Sequence, residues 1–210
     1  MAIDPDKTHI FHITDIANLD AIIAEGGLHS DANMVLAGAK PTVIGFAHIK
    51  QRRLDAYRVP CCNNRFVGEF VPFYFCPRSP MLYTINKGNA GRPAGCQKSI
   101  VHLVSTVGKG ISLDRLWAIS DGNAGADYTE FSNSVADLNN LDWEIIRSMN
   151  WAGERRRPKK QSEFLVADFF PWSSITEIGC QNEEASGAVR RITQHLQNVP
   201  YVHTEPNWYY

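Results

Sequence analysis

Residues 69–86, EFVPFYFCPRSPMLYTIN, decide the fold class. The first eight are aromatic and apolar enough for a β-strand. Pro72 removes one backbone donor from that strand, which predicts an edge position or a bulge rather than a regular central one. Pro77 stops it. Ser79 then opens a short helix with Pro80 in the first turn, where a missing N–H has no intrahelical partner to lose. A strand broken by proline and followed at once by a helix does not belong to a regular βαβ repeat.

The flanking sequence agrees. Upstream, HIFHI (9–13) reads as a short strand and 16–24 as a helix, capped by Thr14 or Asp15 and ended by Gly26-Gly27. A second helix is expected over 46–57 and a loop over 86–97. Downstream, IVHLVS (100–105), LWAIS (116–120), EFLVADFF (163–170) and ITEIG (175–179) read as strands. A helix starting at Asp137 would gather Leu138, Leu141, Ile145, Ile146 and Met149 on one face, and a last helix spans 184–196. Elements alternate irregularly, and prolines and glycines sit inside several strands. The expected fold is therefore α+β, with twisted antiparallel sheets flanked by helices, rather than a doubly wound α/β fold. The G-x-G-x-x-G fingerprint is missing, and GKG at 108–110 is not a P-loop. No repeat or linker divides the chain, so residues 1–210 are read as one domain.

No apolar run approaches the length of a membrane span, and the N-terminus is acidic and polar, which predicts a cytoplasmic protein with no membrane partner. Five cysteines without repeated C-x-x-C spacing indicate neither a disulfide framework nor a metal site. The formal charge is -1, yet it is unevenly spread. Residues 1–39 hold six acids and one base, whereas 40–109 hold eleven bases against Asp55 and Glu69. The run RRRPKK, 155–160, packs five bases into six positions. Such segregation suits a phosphate backbone or a dinucleotide, and equally a solvated surface.

Several side chains invite chemistry, each beside a plainer reading. Glu163 stands where the cationic loop meets an apolar strand, so its Cα would be fixed while its carboxylate faces either a cleft or solvent. His12 and Thr14 alternate on one strand and share a face, suited to ribose hydroxyls or a carboxamide, or to structural hydrogen bonds. Arg52 and Arg53 offer guanidinium forks for a pyrophosphate, or are helix-surface arginines. Arg78, between an aromatic strand and Pro-Met-Leu, is expected to pair with something and is a further candidate for binding DNA. Arg155, Arg156, Arg157, Lys159 and Lys160 can track a single-stranded backbone, with Trp151, Tyr128 or Phe131 available to stack bases.

Together HIFHITDIANLDAIIAEGGL (9–28), FAHIKQRR (46–53), VPFYFCPRSPMLY (71–83), IVHLVS, LDWEIIRSMNW (141–151) and KKQSEFLVADFFPWSSITEIG (159–179) resemble the DarT family of DNA ADP-ribosyltransferase toxins, in that family's order. The resemblance implies an ADP-ribosyltransferase fold that binds NAD⁺ in the cleft of a split antiparallel sheet, and modification of single-stranded DNA on thymine. It implies the macrodomain antitoxin DarG as partner; the chain is expected to be a monomer, and its chemistry needs no metal. By resemblance the catalytic carboxylate is Glu163, the nicotinamide-ribose pocket holds His12 and Thr14, and an essential arginine is Arg52 or Arg53. Asn18 and Tyr74 are further candidates on the NAD⁺ side, and Arg157, Lys159 and Lys160 belong to the substrate-facing loop. The competing readings are transfer onto RNA, guanine or protein, NAD⁺ hydrolysis, and nucleic-acid binding without catalysis.

Overall fold

The computed structural model describes residues 2–42, 44, 46–88 and 93–210. In chain order the first half holds β1 (His9–Asp15), α1 (Leu19–Ala24), β2 (Gly27–His29), α2 (Asp31–Leu36), α3 (Ala47–Asp55), β3 (Arg58–Val59), β4 (Arg65–Phe66), β5 (Phe70–Tyr74) and α4 (Pro80–Asn86). The second half holds β6 (Ile100–Thr106), α5 (Val107–Ile111), β7 (Trp117–Ser120), β8 (Phe131–Ser132), α6 (Trp143–Arg147), α7 (Arg156–Lys160), β9 (Glu163–Ala167), β10 (Phe169–Pro171), β11 (Glu177–Cys180), α8 (Glu183–Thr193) and β12 (Tyr201–Thr204). Eight strands form one sheet in the order β12-β11-β6-β1-β5-β9-β7-β8, antiparallel throughout except for the parallel edge pair β11–β12.

That sheet is nearly two sheets. β1 pairs with β6 along its whole length, from His9↔Thr106 to Asp15↔Ile100, and β5 with β9 from Phe70↔Ala167 to Tyr74↔Glu163. Between β1 and β5 there is a single register pair, Phe11↔Tyr74. Pro72 explains the gap. Its carbonyl accepts from His12 Nδ1 at 2.9 Å, so its nitrogen, on the same edge of the strand, faces β1 and has no hydrogen to give. The expected edge position is thus corrected: β5 is central, and its proline lies along the split, where no ladder needs a donor.

Alternation along the strands feeds different cores. Phe164 and Val166 enter the main core with Ile10, Phe73, Leu103, Phe170, Ile178 and Val189. On the opposite face the packing is divided. Leu165 and Ala167 join Val67, Phe70 and Ala118 over one half-sheet, while Ile13 and Ile100 join Leu82, Ile85 and Tyr209 over the other. Glu163 alternates with Leu165 and Ala167 and so belongs to this divided face.

Several expected boundaries move. The helix expected from Asp137 is a 3-10 segment, Val135–Asn140, followed by a separate α6. Asp142 ends the continuity by taking the Ile145 N–H on its side chain, and Met149 is exposed. The strand expected over 163–170 breaks at Asp168, which adopts φ 66° and pairs with Arg65, so that β10 leaves the sheet to pair with β2. Asp15 rather than Thr14 caps the first helical turn, accepting from Ala17 N at 3.0 Å. Within the expected cationic loop before Glu163 lies α7, and Pro158 sits in its first turn, where its absent N–H has no intrahelical acceptor. The loop expected over 86–97 falls partly outside the described residues.

Candidate active site

α3 carries the cationic side of the site. Gly68 lets this helix lie against the 67–69 turn, for a Cβ there would fall 2.7 Å from Leu54 Cδ2 and 3.0 Å from the Arg53 carbonyl oxygen. Lys50 and Arg53, three apart, share one face of α3. Lys50 Nζ donates to Asp31 Oδ1 at 2.8 Å, on the first turn of α2. Arg53 reaches Glu163 with both ends of its fork, Nη1 to Oε1 at 3.2 Å and Nη2 to Oε2 at 2.9 Å. Arg52 turns outward and lies 4.7 Å over the Tyr57 ring.

Glu163 is almost fully enclosed, with 2% of its side chain exposed against 12% for Arg53. A short segment after β7 closes around it. Ser120, paired with Glu163 across the sheet, takes the Glu163 N–H on Oγ at 3.0 Å and donates to the Gly122 carbonyl at 2.7 Å. The Ala124 N–H then donates to Glu163 Oε1 at 2.9 Å. The carboxylate thus accepts three hydrogen bonds, two from a cation, and of its roughly four acceptor positions about one remains. Burial opposes the charge of Arg53, the Glu163 carboxylate, Tyr74 and Asp31 together outweigh it, and the guanidinium pKa is raised. Arg53 therefore stays a cation.

On the other half-sheet, His12 is half-buried against Phe73, with ring centroids 5.7 Å apart. Burial lowers its pKa despite the Pro72 carbonyl and Asp31, and the neutral ring that donates Nδ1–H to Pro72 keeps Nε2 as an acceptor. Asp31 acts electrostatically on both His12 and Arg53, so one carboxylate links the two halves. Tyr74 bridges them in the backbone, between Phe11 and Glu163. Its hydroxyl lies 3.6 Å from Met81 Sδ, and burial, followed by the nearby Glu163 charge, raises its pKa. Asn18 donates to Thr14 Oγ1 at 3.1 Å and exchanges hydrogen bonds with the Thr42 backbone at 3.0 and 2.8 Å, tying the end of β1 to Thr42.

The cationic run divides. Arg155 and Arg157 are exposed. Arg156 folds back on the Asn150 carbonyl and Ser148 Oγ, and Lys159 pairs with Asp121. Lys160 corrects the expectation of a nucleic-acid contact: it is 3% exposed, and its ammonium donates to the Ile146 and Ser148 carbonyls at 2.6 and 2.9 Å. Arg78 sets its guanidinium 4.4 Å over the Tyr210 ring. Sequence reading missed Ser120, the Ala124 amide, Asp31 and Lys50. The spacing of Lys50 from Arg53 was a usable signal, whereas a backbone amide leaves none.

The split sheet carries an arginine-clamped glutamate on one half and a half-buried histidine on the other, and sequence comparison decides the family. The sequence model described as "DarT: ssDNA thymidine ADP-ribosyltransferase, DarT" matches residues 11–210. The chain belongs to the DarT family. A Thermus aquaticus DNA ADP-ribosyl transferase is 36% identical over 210 residues, 98% of this chain and 90% of that one. The DarT of Thermus sp. 2.9, solved in complex with ADP-ribosylated single-stranded DNA, superposes with a TM-score of 0.89 at 33% identity over the whole of both chains, and its NAD⁺ complex with 0.88. A Thermosipho africanus protein, a DNA ADP-ribosyl transferase–DNA ADP-ribosyl glycohydrolase fusion, is 23% identical over 98% of this chain and 50% of its own length. Among the described residues of this DarT-family chain, no cluster of three His, Cys, Asp or Glu side chains is placed to hold a metal ion.

Proposed function

We propose that this protein transfers the ADP-ribose of NAD⁺ to a ring nitrogen of thymine in single-stranded DNA, with Glu163 as the catalytic carboxylate. The observation that carries the reading is the enclosed Glu163–Arg53 pair on the divided face of a DarT-family sheet. In the reaction the bond from ribose C1′ to nicotinamide breaks, and its electrons leave with neutral nicotinamide. The thymine nitrogen forms the new bond to C1′ and gives up its proton. Two demands follow: positive charge developing on the ribose must be steadied, and a base must take that proton.

Glu163 answers both. Its remaining acceptor position takes a hydrogen bond from a ribose hydroxyl, which passes its proton to the carboxylate as it receives the thymine proton, and its charge faces the developing cation. Arg53, fixed as a cation, is unsuited to accept a proton, so it orients the carboxylate that does. Lys50 and Arg53 offer positive charge to the pyrophosphate, and His12 Nε2 accepts from a hydroxyl or carboxamide of the nicotinamide ribose side, next to Thr14 and Tyr74. Asn18 supports that pocket through Thr14. Arg155 and Arg157 hold the DNA backbone.

In the cell the protein acts as a toxin, a single-domain cytoplasmic monomer restrained by the macrodomain antitoxin DarG, which removes the modification. The Thermosipho africanus relative, which joins transferase and glycohydrolase in one chain, supports that pairing. Mass spectrometry of a mixed-sequence single-stranded oligonucleotide incubated with protein and NAD⁺ tests the reaction. One ADP-ribose gained on thymine is expected; nicotinamide release with unmodified DNA would move the acceptor elsewhere.

A further inference from the structure

Beyond the split, at the end of the sheet where β5 runs out, lies a cavity of about 390 Å³ that the reaction as described does not use. Four cations line it, Lys7, Arg78, Arg147 and Lys160, the last with its ammonium held by backbone carbonyls, and no Asp or Glu among the described residues does. Its apolar wall is aromatic: Phe75 meets Trp143 edge to face at 5.5 Å, and Phe11 meets Trp208 likewise at 5.2 Å. Arg147 lies 5.1 Å over the Trp143 ring, and Arg78 Nε is buried with no hydrogen-bond acceptor among the described residues. Cations beside aromatic edges, without carboxylates, are the chemistry that receives an unstacked base and its phosphate. The volume lies near the lower end of the roughly 300–1,000 Å³ typical of small-molecule sites, a size for one nucleotide and not for a whole dinucleotide.

Two connections tie the cavity to Glu163. Arg78 follows Tyr74, the register partner of Glu163, by four residues, at most about 14 Å of extended chain. Lys160, three residues before Glu163, lines the cavity and grips the Ile146 and Ser148 carbonyls, so the α6 wall is fastened to the strand that carries the carboxylate. We propose that this cavity binds one nucleotide of the acceptor DNA strand, a few positions from the target thymine, and thereby helps choose which thymines are modified. The inference rests on the transfer reaction proposed above.

The test uses the full chain and single-stranded oligonucleotides with one modifiable thymine, in which an abasic site is moved through the three flanking positions on each side. Arg147 is exposed, so Arg147→Gln leaves the core intact; Arg78→Gln is the second variant. At one flanking position, loss of the base is expected to raise the DNA KM about tenfold in the native protein. Both variants should show a similar rise on intact DNA and little further rise on the abasic strand, with the KM for NAD⁺ unchanged. Abasic and side-chain effects that simply multiply at every position would overturn the proposal. So would a change confined to the NAD⁺ KM, which would give the cavity to the adenosine of the dinucleotide. Failure of the underlying reaction reads differently, since no thymine would then be modified by the native protein in any oligonucleotide.

Discussion

Arg53 meets Glu163 in a two-pronged contact, at 3.2 and 2.9 Å, while its sequence neighbour Arg52 is turned away onto Tyr57. Adjacent arginines on a helix point about 100° apart, so only one can enter a cleft below it. Arg53→Ala should lower ADP-ribose transfer by about 100-fold or more. It should also destabilise the fold by about 3–5 kcal/mol, because a buried carboxylate loses its counter-ion. Arg52→Ala should change stability by no more than about 0.5 kcal/mol and leave turnover close to native. Modified oligonucleotide per unit time and thermal unfolding of both variants check this pair.

Glu163→Gln keeps the shape of the side chain and removes its charge. Transfer should fall by at least about 100-fold, with unchanged circular dichroism and retained single-stranded DNA binding. Turnover near the native rate would remove Glu163 from the mechanism.

His102 gives the fold an acid limit. It is fully buried between the Pro77 carbonyl, 2.9 Å from Nε2, and the Tyr209 hydroxyl, 3.2 Å from Nδ1. Burial pushes its pKa down from 6.5 to about 4. Above pH 6.5 both folded and unfolded chains hold it neutral; below that the unfolded chain gains a proton that the folded chain refuses. Its contribution is therefore present above 6.5 and lost as pH falls toward about 4, amounting to roughly 3 kcal/mol over the window. Denaturant unfolding at pH 7 and pH 5 should show a smaller loss in His102→Gln than in the native protein.

The two ends of α7 should separate by salt dependence. Arg155→Gln and Arg157→Gln should each reduce the slope of log affinity for single-stranded DNA against log salt by about 0.7. Lys160→Met should leave that slope alone and instead cost about 1–3 kcal/mol, since the Ile146 and Ser148 carbonyls lose their donor.

Much of this was legible in the sequence, for identifiable reasons. Ser79-Pro80 marks its helix because cap and first turn are local chemistry, and IVHLVS marks its strand because it is buried on both faces. Pro72 was misread because its tolerance depends on the missing ladder to β1, a relation between segments 60 residues apart. The break at Asp168 likewise depends on Arg65, 103 residues away. In the site, residue type singled out Glu163, yet the choice between Arg52 and Arg53 required the phase of α3 over the sheet. The Ala124 amide is chemistry that belongs to the backbone of an unremarkable stretch, with no side chain to announce it.

The single Phe11↔Tyr74 rung makes the sheet a hinge with one pin. His12 rides on one leaf and Glu163 on the other, so the distance between them is set by an angle rather than by either leaf's own rigidity. Because Pro72 cannot donate toward β1, the ladder does not close at that row, and the gap falls between the leaf with His12 and the leaf with Glu163. A reader of other split sheets can look for the same sign: a proline in a central strand, at the row where the ladder is meant to fail.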